Sequence, residues 1–70
     1  MTEQEFLVQL GKSIAKIRKQ KGFSQNVLCA IINMEKSNLS TIENGRQNAS
    51  SLTLKKIADA MNVEVKEFFS

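Results

Sequence analysis

Between Ser24 and Gly45 two short apolar periodicities stand on either side of one turn signal, and few folds accommodate that arrangement. Ser24 is a good N-cap, because its hydroxyl can accept a bond from an otherwise unpaired first-turn N–H. Leu28, Ile31 and Ile32 then recur at helical spacing, which predicts a helix over Gln25–Ile32. Asn33 follows as a stop, since Asn tolerates the left-handed backbone of a C′ residue better than any residue but Gly. Apolar positions resume at Met34, Leu39 and Ile42 and end on Asn44-Gly45, so a second helix is predicted over Lys36–Glu43.

That second helix has a narrow apolar seam, Leu39 and Ile42, under a surface of Lys36, Ser37, Asn38, Ser40, Thr41 and Asn44. Ser, Thr and Asn are mediocre helix formers, because their side chains compete for nearby backbone groups. Two readings of such a face stand side by side: it meets a polar partner, or it is the solvated side of a small bundle.

The wider pattern separates them. Ile17-Arg18, Lys21-Gly22-Phe23-Ser24-Gln25, Leu28, Leu39-Ser40, Ile42-Glu43-Asn44-Gly45-Arg46, Asn48, Leu54 and Lys56-Ile57-Ala58 stand in one register over Ile14–Phe69. In this the chain resembles the Cro/repressor-type (XRE-like) helix-turn-helix family. The resemblance implies an all-α fold, a five-helix bundle like that of lambda repressor, with the helix-turn-helix in helices 2 and 3. It also implies sequence-specific binding of double-stranded DNA by a bacterial or phage-type transcriptional regulator, a repressor. Three positions depart from the family pattern: Cys29 replaces a small Ala, Asn33 the turn Gly, and Glu35 the Ser or Thr that caps the reader helix. The first two suit their places, whereas Glu35 leaves the start of helix 3 weakly capped.

By the same resemblance Lys36, Ser37 and Thr41 face base edges in the major groove, which is about 12 Å wide and admits one helix. Arg18, Gln25, Asn38, Asn44, Arg46 and Asn48 are expected at the DNA backbone. For Gln25 physical chemistry agrees, since a helix N-terminus offers unpaired donors and partial positive charge. The family also pairs an arginine of helix 1 with a glutamate ending helix 3. Here these are Arg18 and Glu43, and a guanidinium fork would meet the carboxylate at two points.

Charge supports a polyanion partner through its distribution more than its sum of +3. No acid occurs between Phe6 and Met34, a span that holds Lys12, Lys16, Arg18, Lys19 and Lys21. A one-signed patch beside the helix pair is what such a partner requires. With no histidine in the chain, His-based triads, general bases and imidazole metal ligands are excluded. The single cysteine, Cys29, lies on a predicted helix contact without a partner to activate it. No enzymatic activity and no cofactor is expected.

Seventy residues make one domain, 1–70, that buries only about 60% of its unfolded surface. No apolar run approaches the roughly 20 residues of a membrane span. The acidic first residues lack the basic start of a signal peptide, and one cysteine suits a reducing cytoplasm. Thr2 with Glu5 forms a capping-box signature for helix 1, expected from about Glu3 to Lys21, with Leu7, Leu10, Ile14 and Ile17 inward. Residues 1–9 extend that helix beyond the family's usual start. Ser50 or Ser51 caps helix 4, which turns Leu54, Ile57, Ala58 and Met61 inward.

After a break at Asn62, a fifth helix carries Val63, Val65, Phe68 and Phe69. Adjacent phenylalanines point about 100° apart, so one completes the core and the other faces a partner. A single reader helix touches too few base pairs to outcompete non-specific DNA, and the family's remedy is twofold symmetry. A homodimer on a palindromic operator is therefore expected, its interface built from Met61, Val65, Phe68 and Phe69, with Phe6 and Val8 as second choice. The rival from another class is a helical protein-interaction module, such as the DNA-binding antitoxin of a toxin–antitoxin pair, in which the apolar Val27/Ile31 and Phe68/Phe69 surfaces dominate.

Overall fold

Each helix begins and ends where a particular side chain or turn closes it. A computed structural model describes residues 1–69, with helices α1 (Glu3–Gln20), α2 (Gln25–Ile32), α3 (Lys36–Glu43) and α4 (Ser51–Ala60). Thr2 and Glu5 cap α1 reciprocally, the Glu5 N–H donating to Thr2 Oγ1 at 3.1 Å and the Thr2 N–H to Glu5 Oε1 at 2.9 Å. Hydrogen bonding from the Thr2 backbone N–H, then from the Thr2 side chain, holds the Glu5 carboxyl below its ordinary range. Ser24 caps α2 and Ser50 caps α4, each accepting from the N–H three residues on. Asn33 closes α2 in the left-handed region at φ 56°, and Asn62 follows α4 at φ 58°. As expected, α3 has no side-chain cap: the Asn38 and Leu39 N–H groups fall back on the Glu35 carbonyl at 3.0 and 3.3 Å.

Every α-helix contributes to the core. Leu10 and Ile14 of α1, Leu28 and Cys29 of α2, Leu39 and Ile42 of α3, and Leu54, Ile57 and Ala58 of α4 are buried, joined by Met61 and Phe68. Leu7 and Ile17, expected in the inward stripe of α1, are only half-buried. The helix α1 packs on α3 and on the C-terminal segment, and α4 packs on α2.

The expected fifth helix is a 3-10 helix, Val65–Phe69, so the described residues form four α-helices and one 3-10 segment, not five α-helices. Five residues are too few to repay α-nucleation, and short 3-10 turns fill such places. Glu67 supports the turn at both ends, its N–H donating to Glu64 O at 3.0 Å and its Oε2 accepting from the Glu64 N–H at 2.9 Å. Phe68 anchors it in the core while Phe69 turns outward, as neighbouring side chains must. Met61 and Phe68 are 2% and 1% exposed, which corrects their expected place at a dimer interface. Filling the monomer's own core leaves them no surface to offer.

Candidate nucleic-acid interface

Burial of Leu39 and Ile42 fixes the rotation of α3 and turns Lys36, Ser37 and Asn38 to solvent, with Ser40 and Thr41 half-buried behind them. Two contacts hold that helix in place. The first is close backbone packing, because a Cβ added to buried Gly11 would come within 2.5 Å of the Ile42 carbonyl oxygen and 2.7 Å of the Glu43 carbonyl carbon. Only a residue without a side chain lets α1 approach the end of α3 so closely.

The second contact is the expected ion pair. Arg18 Nε donates to Glu43 Oε2 at 2.7 Å and Nη2 to Oε1 at 3.0 Å, while Nη1 donates to the Phe23 carbonyl at 2.9 Å. Gln25 Nε2 completes the set, donating to Glu43 Oε1 at 2.9 Å. One carboxylate thus ties together α1, the α1–α2 turn, the start of α2 and the end of α3. Every buried side-chain polar atom among the described residues has a partner, which is the condition for such a network to hold.

This geometry refines two expectations. Arg18 is 7% exposed and points donors on all three of its nitrogens inward, where they brace α3. Gln25 likewise turns its amide nitrogen inward. What α2 presents outward at that point is its first-turn backbone N–H groups, which no intrahelical bond takes up. Around them Lys12, Lys16 and Lys19 line one groove with Arg18, Gln25, Glu43 and Asn44. Spaced four and three apart, these lysines share one face of α1.

The loop after α3 carries the remaining candidates. Arg46 and Asn48 are exposed, and the Arg46 N–H donates to the Thr41 carbonyl at 2.9 Å, seating the loop on the helix. Asn44 reaches Ser40 Oγ only at 3.5 Å, the outer limit of a hydrogen bond. The expected N-terminal extension grips the loop's start: Gln4 Nε2 donates to the Gly45 carbonyl at 3.0 Å, and a Cβ on Gly45 would lie 2.6 Å from Val8 Cα. Thr41 is bonded on both sides, its Oγ1 lying 2.9 Å from Asn38 O and 2.8 Å from Gln47 Oε1.

Sequence reasoning missed Gly11, Gln4 and Gln47. A glycine inside an amphipathic helix does signal close backbone approach; nothing in the spacing of the two glutamines marks their partners. Phe69, 51% exposed, stacks on Phe6, 46% exposed, with ring centroids 5.9 Å apart. The first and second choices for a dimer contact therefore form one patch. Cys29 is buried, and desolvation, then the Glu43 charge, push its thiol above the ordinary value. Among the described residues no helix is long and apolar enough to cross a membrane.

A polar helix braced across a basic helix, with the N-terminus of its partner helix beside it, is the architecture of a DNA-binding helix-turn-helix protein. The helix-turn-helix family model matches residues 14–68, and the chain belongs to that family in its XRE, Cro/repressor-type branch, whose members are transcriptional regulators. It is 34% identical over 64 residues to the control protein C.MunI of a Mycoplasma species, covering 90% of this chain and 86% of that protein. The restriction-modification controller C.AhdI of Aeromonas hydrophila superposes with a TM-score of 0.89 at 31% identity, over 93% of this chain and 98% of the other. The biofilm master regulator SinR, solved in complex with DNA, gives 0.81 at 34% identity, over 87% of this chain and 98% of that one.

Proposed function

We propose that this regulator acts as a homodimeric, cytoplasmic repressor on an imperfect palindrome, one helix-turn-helix domain per chain over residues 1–70 and no enzymatic activity. Lys36 and Ser37 read base edges from the exposed face of α3. The first-turn N–H groups of α2, with Asn38, Asn44, Arg46 and Asn48, hold the phosphate backbone. Arg18 and Glu43 set the angle of α3 and add little direct contact. The observation that carries this reading is the groove in which Lys12, Lys16 and Lys19 of α1 meet Gln25 of α2 and the end of α3 at Glu43 and Asn44, while Lys36, Ser37 and Asn38 of α3 stand exposed. Similarity to a regulator solved on DNA, to a restriction-modification controller and to a control protein supports it.

Pairing is assigned to the patch around Phe6, Val65 and Phe69, the apolar surface left once Met61 and Phe68 are withdrawn. Selection of bound duplexes from a random pool, followed by polarisation titration with non-specific competitor, tests the reading. An inverted repeat with half-site centres about 34 Å apart is expected. Binding indifferent to sequence would overturn it.

A further inference from the structure

We propose that Gln47, in the loop after α3, is a base-reading residue and that Thr41 is its positioning residue. The proposal rests on the reading of α3 as the DNA-facing helix.

Thr41 lies one turn beyond Ser37, at i+4, and so continues the same face toward the loop. Its hydroxyl has one proton and two oxygen neighbours, Asn38 O at 2.9 Å and Gln47 Oε1 at 2.8 Å. Whichever oxygen takes the proton, none is left to donate to a base, so Thr41 can offer one only its methyl or a lone pair of a hydroxyl already held between two oxygens. The polar reading group at this place is therefore the Gln47 amide, exposed at the tip of the contact.

When Thr41 donates to Oε1, that oxygen keeps one lone pair and Nε2 keeps both protons. An amide so presented matches adenine in the major groove, Oε1 accepting from N6–H and Nε2 donating to N7. Thr41 adds preorganisation. A free glutamine loses much rotamer freedom on docking, and one already tethered through its carbonyl loses less. The Arg46 N–H to Thr41 O bond holds the loop so that tether and helix move together.

Random-pool selection with the full chain, its Q47A, Q47E and T41V variants, and circular dichroism on each separates the outcomes. The wild type should require adenine at one position of each half-site. Q47A should lose about 5- to 150-fold discrimination there and nowhere else, the worth of one two-point base contact. Q47E, an acceptor only, should move the preference to cytosine, whose N4 donates. T41V keeps the shape and removes the tether, and should weaken the adenine preference without redirecting it. Q47A binding that falls equally on all sequences would make Gln47 a backbone contact and overturn its assignment. An unchanged adenine preference in T41V would overturn the positioning role. A wild type that selects no sequence at all would instead defeat the functional reading on which this one rests.

Discussion

Arg18 and Glu43 form a two-point ion pair, 25 residues apart in sequence, that is almost closed to solvent and shared by three helices. Buried charges are costly unless matched, so removing one partner is worse than removing both. Glu43→Gln should destabilise the domain by about 3–5 kcal/mol, because it leaves the guanidinium buried without its counter-charge. The double change Arg18→Met with Glu43→Leu should recover most of that loss. Urea denaturation of the three chains gives the comparison, and a single variant no less stable than the double would contradict the account.

Gly11 offers a test in which local preference and tertiary packing disagree. Helix propensity alone makes Gly11→Ala stabilising by about 1 kcal/mol. The added methyl would meet the carbonyls of Ile42 and Glu43, backbone atoms that cannot swing aside. A net loss of roughly 1–3 kcal/mol is expected, as for an overpacked core site. Thermal melting reads the sign directly, and DNA affinity should fall with it because α3 is displaced.

The helix boundaries were legible in the residues because local chemistry sets them. Ser24, Asn33 and Ser50 act through bonds to neighbours a few positions away, and α2 begins and ends where its caps predict; α3 keeps the bounds Lys36–Glu43 although Glu35 gives it no side-chain cap. Core positions followed from helical periodicity, and the ion pair from family resemblance. What could not be read was contact between distant segments. Gln4 with Gly45, Phe6 with Phe69 and Thr41 with Gln47 each depend on how helices and loop come together. The amphipathic pattern also fixes an inward face without saying which of its residues are sealed. Met61, expected inward, and Phe68, one of two candidates to complete the core, are sealed so fully that neither keeps a surface for the dimer contact also expected of them.

Arg46 is exposed beside the end of α3, and its expected contact is with phosphate. A lost phosphate contact weakens all sequences alike and lowers the salt slope by about one unit. Arg46→Ala should do both, seen in polarisation titrations at several salt concentrations. A changed preferred sequence with an unchanged slope would place Arg46 on a base.

The Cys29 thiol makes the domain sensitive to alkali. Its native pKa is raised, so between the unfolded value, about 8.5, and the native one the folded chain holds the proton more tightly than the unfolded chain. The stabilisation is complete below about pH 8.5 and is lost as pH rises toward the native pKa. Cys29→Ala should flatten this part of the stability–pH curve, as measured by urea denaturation between pH 7 and 10. An alkaline limb equally steep in the variant would assign the effect to other groups.

Phe69 decides how the chain pairs. A stable interface takes about 800 Å² from each partner, against 4612 Å² for the whole chain. Two half-exposed phenylalanines supply roughly 200 Å² of that, since a full aromatic side chain buries about 150–250 Å². The contact must therefore spread from Phe6 and Phe69 to Met1, Gln9 and Ser13, which lie around them, and along the 3-10 segment to the half-buried Val65. Charge placed at its centre would have to be desolvated in the dimer but not in the monomer. Phe69→Lys should thus leave the fold intact, because half of this side chain already faces water and Phe68 holds the core. In sedimentation the variant should be monomeric where the wild type is dimeric. Without its second reader helix, specific affinity should fall toward the non-specific level, roughly a thousandfold or more below. Sedimentation with and without the selected operator, beside circular dichroism of both chains, reads each term separately. Wild-type chain that occupies a single half-site as a monomer at full affinity would overturn the dimer, and an undiminished dimer in Phe69→Lys would move the interface to another face.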